Sequence, residues 1–586
     1  MIPTDGEEKL DKESPIATAA ASKRFAILFQ WRTDGAGGNS RRHATMQTWL
    51  LVSALALITL ATFSYIMPPS KLAARDAAVR DSAADDPTTD PGAAYHAATR
   101  WLYDRIDYER LARSGSRYRF TLDRMRDLVT RLGHGRYLYE AAGGRAEPPP
   151  VAVSPSGRPP KAKLVHVAGT KGKGSVATMT AHMLATAGFR VGLYTSPHLV
   201  DLEERFRVNG LPATRLQMIA LVNSMRPIVQ EMSRDRIGGP SFFELTTAIA
   251  IEHFHRCECD YWVLETGLGG RLDSTNVFQS DVTLITSIGL DHQNVLGDTL
   301  ELIAKEKAGI LKPGVPAISG VTKSPAREVI RQTAAEVGAP LLELGQDFDV
   351  RDCTSASFAL TDVGEAPAWG SSFELLGEDM NATSNLPVKS VHLSLEGRHQ
   401  IGNAAVALMG LKRLGVSLDA AVLDALGQLQ IEARLERFVL PAGETAILDA
   451  AHNPDSITAL VETLQARFAG RRLIGVFGTS VDKDAATMLD LLRPCLSAVV
   501  LTQYHGNPRF VPVQTLAGLA AATVAGSSAS PGPFISPATA WYVMEDDPVV
   551  ACQTARELAG RDGIVVVCGS FFLAAEVRPW LVTQVT

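Results

Sequence analysis

At 586 residues the chain is longer than one hydrophobic core normally serves, which points to two globular domains plus further segments. Its 46% hydrophobic and 20% charged content is that of an ordinary globular protein, and a net charge of −6 argues against a nucleic-acid-binding surface. The six cysteines (Cys257, Cys259, Cys353, Cys495, Cys552, Cys568) contain one C-x-C and no C-x-x-C pair, which excludes a zinc framework or disulfide scaffold and suits a reducing compartment.

Residues 1–45 mix charge, Ser, Gly and Ala without periodicity and read as disordered. Residues 48–67, "TWLLVSALALITLATFSYIM", carry no charge and are long enough to span a bilayer. They lie too far from Met1 for an ordinary signal peptide, unless translation starts near Met46. Arg32, Arg41 and Arg42 before the segment are matched by Lys71, Arg75 and Arg80 after it, so charge sets no orientation. Two expectations follow: a membrane anchor through 48–67, or a start codon further along that leaves residues 1–95 unmade. Residues 68–95, with "DDPTTDPG", read as a linker.

From residue 96 onward "AAYHAATRWLYDRIDYERL" and "TLDRMRDLVTRL" have helical spacing, and "AEPPPVAVSPSGRPPKAK" is a Pro-rich break. Short apolar runs at 164–168, 190–194, 261–265, 282–288 and 316–319 then alternate with helical patterns, which predicts a doubly wound α/β domain over 96–430. Residues 345–400 break that rhythm and suggest short antiparallel strands or an insertion. A second alternation, with strands at 445–449, 472–477, 497–502 and 563–568, predicts a smaller α/β domain over 431–586.

The stretch "VHVAGTKGKGSVATM" (165–179) runs from strand through a glycine-rich loop into a helix. Its glycines let backbone N–H groups approach phosphate oxygens, and the helix N-terminus adds partial positive charge. Lys173 is the natural partner of β- and γ-phosphates, and Ser175 could reach a Mg²⁺. The loop is not a strict G-x-x-x-x-G-K-[ST], since Val167 replaces the first glycine and Gly174 separates Lys173 from Ser175. A ligand-free turn is the bland alternative.

Further on, an apolar strand delivers Glu265 to its C-terminal end, and the next strand ends in "ITSIGLDHQNVLG", with Asp291 and His292 at the same edge. Ligands of doubly wound sheets bind at that edge. A carboxylate and an imidazole facing a phosphate loop make a divalent-metal site. Taken singly, each is as well explained as a solvated strand end or a surface histidine. Lys307, in "AKEKAGILKPG", is either a solvated charge or a functional lysine whose charge is removed by modification.

Together, "HVAGTKGKGS", "YTSPHL", "ETGLGGRLDSTNV", "GLDHQNVLG" and "EKAGILKPG" resemble the folylpolyglutamate synthase/dihydrofolate synthase family of Mur-ligase-like, ATP-dependent amide ligases. "LDAAHNPDS" (448–456), "FGTSVDKD" (477–484) and "VVCGSFFLAAEV" (566–577) resemble its C-terminal hallmarks, so the resemblance spans roughly residues 96–580. It implies a P-loop-type ATPase domain with a mainly parallel sheet, followed by a smaller Rossmann-like domain. The implied reaction phosphorylates a carboxylate with ATP; the amine of L-glutamate then attacks the acyl phosphate.

By motif match, Gly172, Lys173, Gly174 and Ser175 would hold the phosphates, and Ser196, Glu265 and His292 would ligate Mg²⁺. Lys307 matches the lysine that relatives carbamylate to hold a second Mg²⁺. Asn403, Arg434, Asp449 and His452 would hold ATP from the other side, with Arg437 as the alternative to Arg434. A capped strand-to-helix turn is the alternative for Asp449 and His452. Two departures stand out: Lys171 where many relatives carry Asn, and Glu432-Ala433 where Pro-Gly is usual. The expected partners are a folate or dihydropteroate, glutamate and ATP, with no nucleic acid; a cytoplasmic catalytic part and a monomer are expected. The competing readings are a cell-wall Mur ligase, for which the 70 or so residues ahead of the phosphate loop leave little room for a UDP-sugar domain, and a catalytically silent nucleotide-binding module.

Overall fold

Three sheets organise the chain. The computed structural model describes residues 91–105, 121–140, 162–354, 369–377, 390–441, 443–526 and 541–585. The apolar segment 48–67, the stretch 1–45 and most of the linker and Pro-rich break lie outside these residues. Among the described residues no helix is long and apolar enough to cross a membrane.

The first sheet has eight strands: β1 (Lys163–Ala168), β2 (Val191–Tyr194), β3 (Phe206–Val208), β4 (Leu211–Pro212), β5 (Tyr261–Glu265), β6 (Val282–Ile285), β7 (Ala317–Ser319) and β8 (Leu341–Glu343), in the order β4-β3-β2-β5-β1-β6-β7-β8. All are parallel except the edge strands β3 and β4, which fold back antiparallel to β2 and to each other. The five predicted strands are all present; β3, β4 and β8 are too short or too exposed to announce themselves by hydrophobicity. β1 and its neighbours are apolar throughout because helices cover both faces, which removes the alternation that a half-exposed strand shows. Val165 and Val167 pack on α3 (Lys173–Thr186) and α7 (Arg398–Arg413). On the opposite face Leu164, Tyr194 and Trp262 pack on α1 (Pro91–Tyr103), α2 (Asp123–Arg131), α4 (Arg215–Met232) and α5 (Phe242–Arg256). α6 (Leu300–Ala308) covers the β6–β7 side.

Local chemistry sets the helix starts. Thr214 with Gln217, and Ser241 with Glu244, form reciprocal capping boxes at α4 and α5. The irregular stretch 345–400 contains a three-stranded antiparallel sheet, β9 (Phe348–Asp352), β10 (Ser371–Gly377) and β11 (Ser390–Leu393), ordered β11-β10-β9.

The third sheet holds β12 (Glu436–Val439), β13 (Thr445–Leu448), β14 (Leu473–Phe477), β15 (Ala498–Leu501), β16 (Tyr542–Met544) and β17 (Ile564–Cys568), ordered β12-β13-β17-β14-β15-β16. Only the edge strand β12 is antiparallel. α8 (Pro454–Arg467) opens on an Asn453/Ser456 capping box with Pro454 in its first turn, and α9 (Phe571–Val585) follows β17. The first and third sheets are called the first and second lobes below. Residues 88–586 form one compact unit.

One contact anchors α5 to the turn after α2: Glu252 Oε2 lies 2.7 Å from His134 Nε2, and Arg256 Nε donates to Glu252 Oε1 at 2.6 Å. Burial alone would raise the Glu252 carboxyl, but these two partners outweigh it and bring it down to about 2. A depressed carboxyl stabilises the fold above its ordinary value near 4.3, and that stabilisation disappears as the pH falls toward 2. Glu252→Gln is therefore expected to cost about 1–3 kcal/mol at pH 7. Urea unfolding of both proteins should show the gap shrinking below about pH 4.5.

Candidate active site

β1 lies between β5 and β6, where connections leave to opposite sides of the sheet, so the crevice at its C-terminal end is the expected ligand position. The phosphate loop fills that end. Gly169 and Gly172 both have positive φ (+153° and +81°). A Cβ on Gly172 would collide with the Asn403 side-chain amide and one on Gly169 with Thr286, so neither position accepts a side chain without strain. Asn403, on α7, thus packs directly against the loop.

The stretch after β6 staples the loop. Thr170 N donates to Ser287 O at 2.6 Å and Lys171 N to Ser287 Oγ at 3.1 Å. The Thr170 hydroxyl and the Gly289 backbone exchange two further bonds. Lys173 and Ser175 open α3, with Ser175 buried and Lys173 Nζ 3.4 Å from Thr170 O.

Glu265 ends β5 beside Val167 of β1 and is 4% exposed. Among the described residues its only hydrogen bond comes from Ser196 N, at 3.1 Å to Oε2. Burial raises the Glu265 carboxyl, while Lys173, the Ser196 N–H, Arg434 and Arg205 act in the opposite sense. His292 adopts the left-handed conformation (φ +51°), with Nε2 3.9 Å from Asp291 Oδ1 and its side chain 40% exposed. Partial desolvation, with Lys483 and Lys173 nearby, lowers its imidazole and favours the uncharged form, which ligates metals. Lys307 on α6 is 4% exposed and donates to Gly169 O at 2.8 Å; burial, then Lys173, bring its amine down to about 7. No three or more His, Cys, Asp or Glu side chains among the described residues converge closely enough to form a metal cage. Mg²⁺ needs no such cage, since it usually takes one or two carboxylates and completes its shell with substrate phosphates and water. A buried carboxylate with one hydrogen bond, beside a hydroxyl residue and the phosphate loop, fits that ion.

Asp291, beside His292 at this edge, faces the second lobe. Its carboxylate lies 2.7 Å from Lys171 Nζ in the phosphate loop and 3.6 Å from Lys483 Nζ in the second lobe, and Asn453 Nδ2 of the second lobe donates to it at 3.4 Å. Burial would raise its carboxyl, but Lys171, His292 and Lys483 together hold it well below the usual carboxylate range. The extra charge of Lys171 is thus matched within the protein. Lys483 was not singled out, although it stands inside "FGTSVDKD"; its position opposite Asp291 belongs to tertiary structure.

Arg434 sits in a tight turn where Ala433 and Leu435 both have positive φ (+51° and +50°). Asp449 holds that turn: Oδ2 accepts Leu435 N and Oδ1 accepts Ala451 N, both at 2.8 Å. Arg434 is close enough to lower the carboxyls of Glu265 and Asp449 and the imidazole of His399. Arg437 instead lies over the Trp369 ring, 5.4 Å from its centroid. Arg434, and not Arg437, is therefore the arginine of this stretch that acts on Glu265. Asp449 contributes as the fastener of the Arg434 turn. His452 Nδ1 lies 2.8 Å from Ala450 O, and burial, with Lys171, brings its imidazole down to about 3. Asn453 caps α8, with His452 N donating to Ser456 Oγ at 3.1 Å, so the capped strand-to-helix turn expected as the alternative is present here.

The Mur ligase middle domain matches residues 167–411 and the Mur ligase glutamate ligase domain residues 433–571. The dihydrofolate synthase/folylpolyglutamate synthase of Bacillus subtilis is 32% identical over 83% of this chain and 98% of its own length. Among solved structures, folylpolyglutamate synthase of Mycobacterium tuberculosis, complexed with ADP and AMPPCP, superposes with a TM-score of 0.66 at 28% identity, covering 84% of this chain and 99% of that one. The bifunctional folylpolyglutamate synthase/dihydrofolate synthase of Yersinia pestis, complexed with AMPPNP and a Mn ion, superposes with a TM-score of 0.63 at 26% identity over 84% of this chain and 99% of that one. With both ligase domains matched and the Bacillus relative aligned over nearly its whole length, the chain belongs to the folylpolyglutamate synthase/dihydrofolate synthase family of Mur-type ligases.

Proposed function

We propose that the chain joins L-glutamate to a folate or dihydropteroate, using ATP with a divalent metal ion and releasing ADP and phosphate. The observation that carries this reading is the assembly of one site from both lobes. The phosphate loop, Glu265 and Lys307 come from the first lobe, and Arg434 and Lys483 reach them from the second.

A carboxylate oxygen of the acceptor attacks the γ-phosphorus and ADP leaves. The glutamate amine then attacks the acyl carbon, loses a proton, and phosphate departs with the acyl oxygen. The γ-phosphoryl group gathers negative charge as it transfers, and fixed positive charge aimed at it lowers that barrier. Lys173 and the backbone N–H groups of 172–175 supply it from the loop, and Arg434 from the second lobe. Ser196, Glu265 and His292 would hold Mg²⁺, which when bound neutralises phosphate charge. Asn403 braces Gly172, and Asp449 aims Arg434. Lys307 is the residue for carbamylation: with its amine brought down to about 7, much of it is uncharged at neutral pH and able to attack CO₂. The product carboxylate, formed with loss of one proton, would hold a second Mg²⁺. All these residues belong to one chain, which favours a monomer. ATP, glutamate and reduced folates are cytosolic, which favours a cytoplasmic catalytic part divided into a central ATPase domain (96–430) and a glutamate-ligase domain (431–586).

The test is ADP release from ATP and Mg²⁺ by the full chain, with dihydropteroate in one vessel and tetrahydrofolate in another, and products weighed by mass spectrometry. A glutamyl mass increment that depends on glutamate is expected; ATP hydrolysis without it in either vessel contradicts the reading. Glu265→Gln and His292→Ala should each lower kcat/KM by about 10²-fold or more. Arg434→Gln should cost about 10²-fold, while Arg437→Gln should stay within about threefold. Equal losses at the two arginines would contradict the placement of Arg434.

A further inference from the structure

A second set of cationic side chains lies on helices that supply nothing to the reaction site. Trp101, Arg105, Arg226, Gln230 and Ser233, on or just beyond α1 and α4, line a cavity of about 390 Å³. Both guanidinium groups lie against the same indole. The Arg105 Cζ is 4.3 Å and the Arg226 Cζ 5.2 Å from the Trp101 ring centroid. Two like charges so placed repel one another, and Arg105 loses some hold on its proton through burial and through Arg226. Among the described residues, Asp104 is the only acidic group that acts on Arg105. The Nε atoms of both arginines are buried with no hydrogen-bond partner among the described residues, and Arg226 is otherwise bonded only through Nη2 to Ala97 O, at 3.4 Å.

Arg131 shows the contrast. As the last residue of α2 it packs beside the end of α4 and is met by Asp127, Glu231 and Asp235. Among the described residues, acids are therefore plentiful around Arg131, while only Asp104 acts where the two arginines converge. Paired guanidinium forks match the oxygens of a carboxylate or phosphate, and such an anion would relieve the repulsion and satisfy the buried donors.

We propose that this cavity is an oxyanion-binding site, holding one carboxylate or phosphate group between Arg105 and Arg226, separate from the ligase site. The chemistry is shared by a phosphate ion and by the carboxylates of a γ-linked glutamyl chain.

Calorimetric titration of the full chain separates these sources. The nucleotide site is first filled with ADP and Mg²⁺, and the probes are inorganic phosphate in one arm and tri-γ-glutamate in the other. The same titrations are run on Arg105→Gln/Arg226→Gln and on Arg226→Lys. A binding event in at least one arm that weakens tenfold or more in the double variant, and less in Arg226→Lys, is expected; the arm that shows it names the source. Isotherms that are the same in wild type and double variant for both probes overturn the proposal. The unfolding midpoints supply a second readout. Without added anion, Arg226→Gln should melt no lower than wild type, because it removes a repulsion. A clear drop would show that the arginines are structural, and would equally overturn the site.

Discussion

Asp291 is the interaction on which the arrangement depends. It is one partly buried carboxylate held by Lys171 of the phosphate loop and by Lys483 and Asn453 of the second lobe. Lys171, Lys173, Lys307 and Lys483 all act on groups in this region, which without a counter-charge would drive the lobes apart. Asp291 balances part of that charge and leaves the remainder positive. A site so charged favours an incoming triphosphate, and favours it more as charge builds on the transferring group. The loop that carries Lys171 and Lys173 is itself immobilised by Ser287 and Gly289, so the same short stretch after β6 fixes the phosphate cradle and presents Asp291 to the second lobe.

Burial sets the protonation states that the chemistry needs. His292, partly desolvated and beside lysines, is shifted toward the uncharged form, and burial lowers the Lys307 amine to about 7. Glu265 is the converse case: burial disfavours its charge, and the nearby cations, together with any bound metal, restore it. The Arg434 turn follows a similar logic through the backbone. Ala433 adopts a conformation that glycine would take more readily, and the two backbone bonds to Asp449 hold it there.

Much of this was legible in the sequence, for identifiable reasons. Strands buried on both faces are continuous apolar runs, so β1, β2, β5, β6 and β7 could be placed, and Glu265 with them as the polar residue closing such a run. Gly169 and Gly172 mark a close backbone approach that other residues cannot make. Tertiary pairings were not legible. No spacing rule brings Lys483 to Asp291 across 192 residues of chain, or puts Arg437 on Trp369 and Arg434 beside Glu265 when the two arginines are three residues apart. The antiparallel additions β3 and β4 were missed because edge strands of two or three half-exposed residues carry no periodic signal.

The measurement that tests the chemistry most directly is oxygen transfer. An acceptor labelled with ¹⁸O in its reacting carboxylate is turned over with ATP, glutamate and Mg²⁺, and the released phosphate is analysed by mass spectrometry. If the acceptor is activated as an acyl phosphate across the two lobes, each phosphate formed carries one labelled oxygen. Unlabelled phosphate, or label appearing in AMP, would mean that the carboxylate is activated by another route and would contradict the account.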